Sequence, residues 1–451
     1  MFDAGVDVFR LNTSHGKWED HLARIAAVRT TAAELSVHVG ILLDLQGPKI
    51  RLGRFEGGGC ELEPGNVFTI TTQPVQGTST LASTSYTHFA KDVRPGDPVL
   101  LADGSVELKV LATDAVSVRC EVVIGGPLGD HKGINLPGVE LSTPSLTRKD
   151  MEDLQHGLQA GVDFIALSFV RKPSDLLRLK LFLEEHGAQL PVIAKIEKPE
   201  GWKNLEEILD ESDGVMVARG DLGVEMALEK VPFIQKRIIE RARAKGKFVI
   251  TATQMLESMI EHSSPTRAEV SDVANAICDG TDAVMLSAET ASGKYPGKAV
   301  RMMTRIANET EGWLNPQGFR EPLPPLTPSN AEIIADAAYR AARSAGVTAI
   351  VVYTSSGASA RLISRLRPPV PIYAFTQSEN VARQLTVSFG VTPIIAPDVT
   401  STDEMLFQME KMLIETGRLK HNDNVVFVAG QPIGKPGSTN IVKLHRLGET
   451  K

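Results

Sequence analysis

The residues of this chain best suited to chemistry lie between Pro191 and Asp221. The stretch reads P-V-I-A-K-I-E-K-P-E-G, continues through a helical run, and ends in S-D-G-V-M-V-A-R-G-D. Val192–Ile196 is apolar except for Lys195, the pattern of a short buried strand. Side chains on a strand alternate between faces, so Lys195 and Glu197 share one face. The next apolar run, Val215–Ala218, ends in Arg219-Gly220-Asp221. If both runs belong to one parallel sheet, an ammonium and the carboxylates of Glu197 and Asp221 surround one small space. Two carboxylates with water and phosphate oxygens suit Mg2+. A lysine beside that metal can stabilise charge on a phosphoryl group in transfer. The plainer reading of the same residues is a buried Lys195–Glu197 ion pair without chemistry.

Strands that could hold such a site recur along the chain. Val6–Asn12 and Val39–Leu45 flank a helical period over Lys17–Leu35, which is βαβ texture. After a helix over Thr147–Ala160, apolar runs follow at Phe164–Phe169, Val192–Ile196, Val215–Val217, Phe248–Ala252 and Ala283–Leu286. Each ends in polar residues: Ser168, then Lys195 with Glu197, then Arg219 with Asp221, then Thr251, Thr253 and Gln254, then Ser287 and Glu289. Polar tips always at the C-terminal end of a strand are the footprint of a (β/α)8 TIM-barrel active face. Seven strands are legible, and a closed barrel of this type has about eight. Met1–Gly5 reads as a helix end with Gly5 as its cap, so a first βα unit is expected ahead of Met1.

Between Leu52 and Thr147 the helical period disappears. Short alternating runs such as Val67–Thr71, Val99–Leu101 and Val116–Val123 sit between Gly, Pro and Asp turns. This reads as an inserted β-rich, barrel-like module at 52–147, with barrel segments 1–51 and 148–320 on either side. Glu321–Pro328 is a proline-rich linker, and Ser329-x-x-Glu332 is a capping box that opens a helix. Alternating strands and helices over 329–451 give a doubly wound α/β domain. Its loop Thr354-Ser355-Ser356-Gly357-Ala358-Ser359 lies between a strand and a helix, where hydroxyls and N–H groups suit an anion; an ordinary polar turn explains it equally well.

Bulk properties narrow the function classes. The chain has 451 residues, 42% hydrophobic and 23% charged, enough for two or three domains. A formal charge of -7 speaks against a general nucleic-acid partner. No apolar run approaches transmembrane length, and the start lacks a signal-peptide pattern. Cys60, Cys120 and Cys278 are scattered, which fits a reducing, cytoplasmic setting.

In order along the chain stand R-L-N-T-S-H-G from Arg10, D-L-Q-G-P-K-I-R from Asp44, K-G-I-N-L-P-G from Lys132 and A-K-I-E from Ala194. M-V-A-R-G-D-L-G-V-E from Met216, T-A-T-Q-M-L-E-S-M from Thr251, P-T-R-A-E-V-S-D-V-A-N-A from Pro265, D-A-V-M-L-S-A-E-T from Asp282 and G-S-T-N from Gly437 follow. With these motifs the chain resembles the pyruvate kinases over nearly its whole length, in their bacterial G-P-K-I-R variant, with the N-terminal unit missing. The resemblance implies a barrel, an inserted lid and a regulatory C-terminal domain in a cytoplasmic homotetramer. It implies phosphoryl transfer from phosphoenolpyruvate to ADP, giving pyruvate and ATP, with Mg2+ or Mn2+. Glu197 and Asp221 are then the metal ligands, and Lys195 stabilises the phosphoryl group with Arg10. The Gly220 and Asp221 N–H groups and Thr253 receive the carboxylate, and Thr253 is also implied as a catalytic member of the relay that protonates the enolate. Asn12, His15, Arg51 and Lys132 match the nucleotide-binding positions, with Lys132 on the lid.

The resemblance also implies a potassium site at Asn12, Ser14, Asp44 and the Leu45 carbonyl. Here the family's common G-P-E-I-R reads G-P-K-I-R, and Lys49 reverses the local charge. Lys49 is therefore expected to substitute for potassium, which is then not required. The effector loop, with Thr354, Ser355, Ser356 and Ser359 as candidate contacts, lacks a lysine and an arginine common in relatives regulated by fructose bisphosphate. The alternatives are a lyase or aldolase barrel, which needs no large lid, and a non-catalytic phosphometabolite-binding barrel inactivated by loss of its first βα unit.

Overall fold

The computed structural model describes residues 1–314, 328–344, 346–399, 401–433 and 437–449. Seven strands form one parallel, curled sheet in chain order: β1 (Val8–Asn12), β2 (Gly40–Asp44), β3 (Phe164–Leu167), β4 (Val192–Ile196), β5 (Gly214–Ala218), β6 (Phe248–Ala252) and β7 (Ala283–Val284). Among the described residues β1 and β7 are the edges of this barrel wall. The strands are short where the sequence suggested longer ones, and the backbone explains why. β3 stops before Ser168, and Phe169 turns the chain with φ 55. β7 ends at Val284 rather than Leu286, because Ser287 already donates its N–H to Glu289 ahead of the helical turn Ala288–Ala291.

The period of two sorts the side chains. Leu42, Phe164, Ala166, Ile193, Met216, Phe248, Ile250 and Ala252 form one apolar cluster inside the wall. Ile41, Leu43, Ile165, Leu167, Ala194, Ile196, Val215, Val217 and Val249, the alternate positions, pack outward against the helices. Continuing the inner set toward the C-terminal strand ends reaches Arg10, Asp44, Ser168, Lys195 and Glu197. The interior is thus apolar at one end and charged at the other. The helix Arg148–Ala160 is fixed by its own chemistry. The Thr147 hydroxyl accepts from Asp150 N, the Asp150 carboxylate accepts from Thr147 N, and Gly161 closes the helix at φ 73.

The elements between Glu56 and Asn135 build a β module with its own core, which includes Phe68, Ile70, Leu101, Leu108, Val118 and Cys120. Its main sheet orders strands Ile134–Asn135, Pro98–Leu101, Val106–Thr113, Ser117–Ile124, Val67–Thr71 and Leu81–Ser83. Two neighbouring passes join it to the barrel: Arg51 pairs with Gly133, Leu52 N donates to Lys132 O, and Ile134 N donates to Ile50 O.

Ser329 caps the helix Asn330–Ala342 with Glu332 reciprocating, as the capping-box motif requires. The Pro-rich linker at Glu321–Pro328 falls, apart from Pro328, outside the described residues. The C-terminal sheet orders Val391–Ile395, Ile372–Thr376, Val347–Tyr353, Asn424–Gly430 and Thr439–Arg446, the last strand antiparallel. Alternate residues of Val347–Tyr353 face two separate cores, which is the doubly wound arrangement. This unit sits against the N-terminal end of the barrel strands. Val387 joins the barrel's inner apolar cluster. Buried Arg367 pairs with Asp282 at 3.0 Å, and Arg383 pairs with Asp163 at 2.8 Å. All three cysteines are free thiols.

Candidate functional site

Lys195 is the hub of the charged end. Its Nζ lies 3.1 Å from Asp44 Oδ1 and 2.9 Å from Glu197 Oε1, and donates to Ser168 Oγ at 2.7 Å. Arg10 Nε holds the other Asp44 oxygen at 2.6 Å. Glu197 Oε2 accepts from Phe169 N at 2.7 Å, which is where the left-handed Phe169 turn pays off. Both Lys195 and Glu197 are buried. The ion pair of the plainer reading is therefore real, but it is one edge of a larger cluster.

The charges are set by their surroundings. Burial would lower the Lys195 ammonium, yet Asp44 and Glu197 outweigh it and push it above the ordinary lysine value. Burial would raise the Asp44 carboxyl, but Lys195 and Arg10 hold it below the usual range. Glu197 goes the other way: burial pushes it up, Lys195 pulls it down, and the nearby Asp221 charge adds to the upward push. A carboxylate crowded by burial and a second carboxylate gains from a cation between them. Glu197 and Asp221 are hard oxygen donors, as Mg2+ or Mn2+ requires. Among the described residues no group of three or more His, Cys, Asp or Glu side chains converges on such a point. A two-carboxylate site completed by substrate and water oxygens is the coordination Mg2+ accepts.

The mouth is finished by the segment after β6. Thr253 and Gln254 both take positive φ, 70 and 54. Thr253 Oγ1 accepts from Gly220 N at 2.8 Å. Arg219 makes this conformation possible. Its guanidinium donates to the carbonyls of Ala252 at 3.3 Å and Thr253 at 2.6 Å and pairs with Asp272 at 2.7 Å. The strand-tip pattern pointed to Arg219 without a role, and the structure gives it one as the tie of this loop. Asp44 was legible only through the potassium motif; its pairing with Lys195 reaches across β3, along the inner face that β2 and β4 share.

The remaining positions are looser. Asn12 Oδ1 accepts from Ser14 N at 3.0 Å, and Ser168 Oγ donates to the Leu45 carbonyl at 2.7 Å. His15 and Lys132 are exposed, and Arg51 reaches only the His131 carbonyl, at 3.5 Å. Lys49 is exposed and forms no ion pair among the described residues, so the plain alternative of a surface carboxylate partner is not seen. Burial first, then the charges of Lys49, Arg51 and Arg10, depress the His15 imidazolium. In the C-terminal unit Thr354 accepts from Gly357 N at 3.0 Å and Ser359 bonds Thr439, both buried, whereas Ser355 and Ser356 are exposed.

A parallel barrel with a lysine–carboxylate cluster at its C-terminal mouth, an inserted β module and a doubly wound partner is the architecture of a barrel phosphotransferase. The chain matches the family models "Pyruvate kinase, barrel domain" over residues 1–300 and "Pyruvate kinase, alpha/beta domain" over residues 332–445. It is 47% identical over 449 residues to a pyruvate kinase of Mycobacterium tuberculosis, covering 100% of this chain and 94% of that one. It is 46% identical to a pyruvate kinase of Corynebacterium glutamicum over 452 residues, covering 100% of this chain and 94% of that one. A crystal structure of a pyruvate kinase from Cryptosporidium parvum superposes with a TM-score of 0.91 at 36% identity, over 99% of this chain and 92% of that chain. The chain belongs to the pyruvate kinase family.

Proposed function

We propose that this protein transfers the phosphoryl group of phosphoenolpyruvate to ADP with a divalent cation, giving ATP and pyruvate. The P–O bond to the enolate oxygen breaks, a P–O bond to the terminal ADP oxygen forms, and the enolate takes a proton at its methylene carbon. The observation that carries this reading is the Lys195 ammonium, buried and held between Asp44 and Glu197.

Glu197 and Asp221 would hold the cation, which supplies charge neutralisation to the phosphate oxygens when bound. Lys195, kept charged by its carboxylates, faces the phosphoryl group as its charge spreads in a loose transition state. Arg10 adds a second positive group. The N–H groups of Gly220 and Asp221 with Thr253 receive the substrate carboxylate, and Arg219 holds that loop in place. Asn12, His15, Arg51 and Lys132 line the nucleotide side. We take residues 52–147 as the lid, 1–51 with 148–320 as the catalytic unit, and 329–451 as the regulatory unit. Closure of the lid would bring Lys132 to the nucleotide and exclude water. Lys49 takes over the charge role of potassium. The Thr354–Ser359 loop would receive a phosphorylated effector through Ser355 and Ser356.

Leu228 and Phe233, apolar side chains 73% and 72% exposed, fit burial against other copies in a homotetramer. Among the described residues no helix is long and apolar enough to cross a membrane, and we expect a cytoplasmic enzyme. A non-catalytic role is not favoured, because the strand-end residues that would do the chemistry are all present. A coupled assay for pyruvate formed from phosphoenolpyruvate, ADP and MgCl2 tests the reading. No ADP-dependent pyruvate formation would overturn it.

A further inference from the structure

Lys198 follows Glu197 directly and is as deeply buried as it, yet nothing in the proposed chemistry uses it. Its Nζ lies 2.7 Å from Glu225 Oε1, with the two side chains 5% and 0% exposed. Glu225 ends the helix Arg219–Glu225, whose first turn carries Gly220 and Asp221. The same Oε1 also accepts from Asn135 Nδ2 at 3.1 Å. Asn135 belongs to the lid's return pass, three residues beyond Lys132, and its strand pairs with Leu100 of the lid sheet. One carboxylate oxygen therefore joins three parts: the segment after β4 with the metal-ligand Glu197, the helix with Asp221, and the base of the lid.

The second oxygen of this carboxylate is different. Glu225 Oε2 is buried and has no hydrogen-bond partner among the described residues. The two donors to this carboxylate, Lys198 and Asn135, both meet it at Oε1. The lid touches the same helix once more: a Cβ on Gly104, in the turn after Leu101, would lie 3.9 Å from Val224 Cγ1. The helix that carries Asp221 thus lies beside the base of the lid at two points.

We infer that Glu225, charge-locked by Lys198, is a positioning residue that fixes the lid through Asn135 and so couples nucleotide capture to the placement of Asp221 and Glu197. The inference rests on the reading of residues 52–147 as a lid over the nucleotide. Asn135 touches no reacting atom; it acts through the lid. Losing its amide removes one hydrogen bond to a charged acceptor without stranding the buried Lys198–Glu225 pair. The base of the lid is held less firmly beside the helix of Asp221, so the nucleotide binds more weakly while the phosphoenolpyruvate side keeps its residues.

The test uses the full chain. Asn135→Ala should raise KM for ADP about tenfold, the scale of one hydrogen bond to a charged group, and change KM for phosphoenolpyruvate and kcat by less than about twofold. Asn135→Asp, of the same size but placing a second carboxylate against Glu225, should raise KM for ADP further than Ala does. Hydrogen exchange separates the two readings. In the unaltered protein, ADP with MgCl2 and phosphoenolpyruvate should protect the amides of residues 132–136. In Asn135→Ala the same protection should appear only at about tenfold higher ADP. If the unaltered protein shows no ADP-dependent protection, the lid reading itself fails. If it shows protection and both variants match it in ADP dependence and KM, the lid stands and the role of Glu225 is overturned. A variant that lowers kcat and raises both KM values equally would also overturn it, since that is the mark of a general structural defect.

Discussion

Replacing Lys195 with methionine separates the catalytic use of this ammonium from its structural use. Methionine keeps most of the side-chain volume and removes the charge. Two effects follow, and the structure sets the scale of each. The first is local: Asp44 and Glu197 are buried and both lose their contact at about 3 Å. Asp44 retains Arg10, but Glu197 retains only the Phe169 N–H. Breaking a buried pair by removing one partner costs about 3–5 kcal/mol. The second is kinetic: loss of a positioned charge donor costs about 2.7–4 kcal/mol in the transition state, about two to three orders of magnitude in kcat. The two are told apart by adding MgCl2. A cation between Glu197 and Asp221 replaces the missing charge and should recover much of the lost stability, but it cannot replace the ammonium at the phosphoryl group. The expected outcome is a melting temperature that falls without metal, rises with saturating MgCl2, and a kcat that stays down by about a hundredfold or more in both cases. A kcat within about tenfold of the unaltered protein at full folding would refute the role given to Lys195.

Glu197→Gln and Asp221→Asn should each abolish measurable turnover and weaken Mn2+ binding, read by titration calorimetry of the metal alone; metal binding unchanged in both would exclude the assigned ligands. Full activity is expected in a tetramethylammonium buffer free of potassium, and Lys49→Glu should create a potassium requirement; a rise of about two orders of magnitude on adding KCl to the unaltered protein would sink the substitution idea. The same variant carries a titration signature. Lys49 disfavours the His15 imidazolium, so exchanging it for glutamate should move the His15 midpoint upward toward the ordinary histidine value, followed by NMR. Arg367→Ala takes the buried cation from Asp282 at the joint of the barrel and the C-terminal unit, leaving it the N–H groups of Val249 and Phe389, and should cost about 3 kcal/mol in urea unfolding; a loss below about 1 kcal/mol would mean the pair is not coupled to folding.

The barrel wall was legible because its signal is periodic and local. Val192–Ile196 and Phe248–Ala252 appear in the structure with the boundaries read from apolar runs. The runs Phe164–Phe169 and Ala283–Leu286 extend past the strands they mark, which end at Leu167 and Val284, because the tips are set by turns, and a turn such as the left-handed Phe169 leaves no compositional mark. Lys195 with Glu197 could be read from their spacing. The Asp44 contact to Lys195 could not, since it depends on how far two strands are shifted against each other. Arg219 illustrates the same limit. Its position at a strand tip was visible, but its partners Ala252, Thr253 and Asp272 come from segments that only the closed sheet brings near. The Glu225–Asn135 contact spans 90 residues, and although each residue lies in a quoted motif, neither motif marks the other as its partner.

Val387 has a consequence for how the molecule comes to exist. The innermost apolar cluster of the barrel draws Leu42, Phe164, Ile193, Met216 and Phe248 from its wall and takes Val387 from the far unit. A chain growing from its N-terminus has made every strand of the wall well before residue 387 emerges. Until then the floor of the barrel is an apolar opening facing water. The C-terminal unit is therefore the stopper of the catalytic one. Whatever signals it receives, it first completes the vessel in which the chemistry is done.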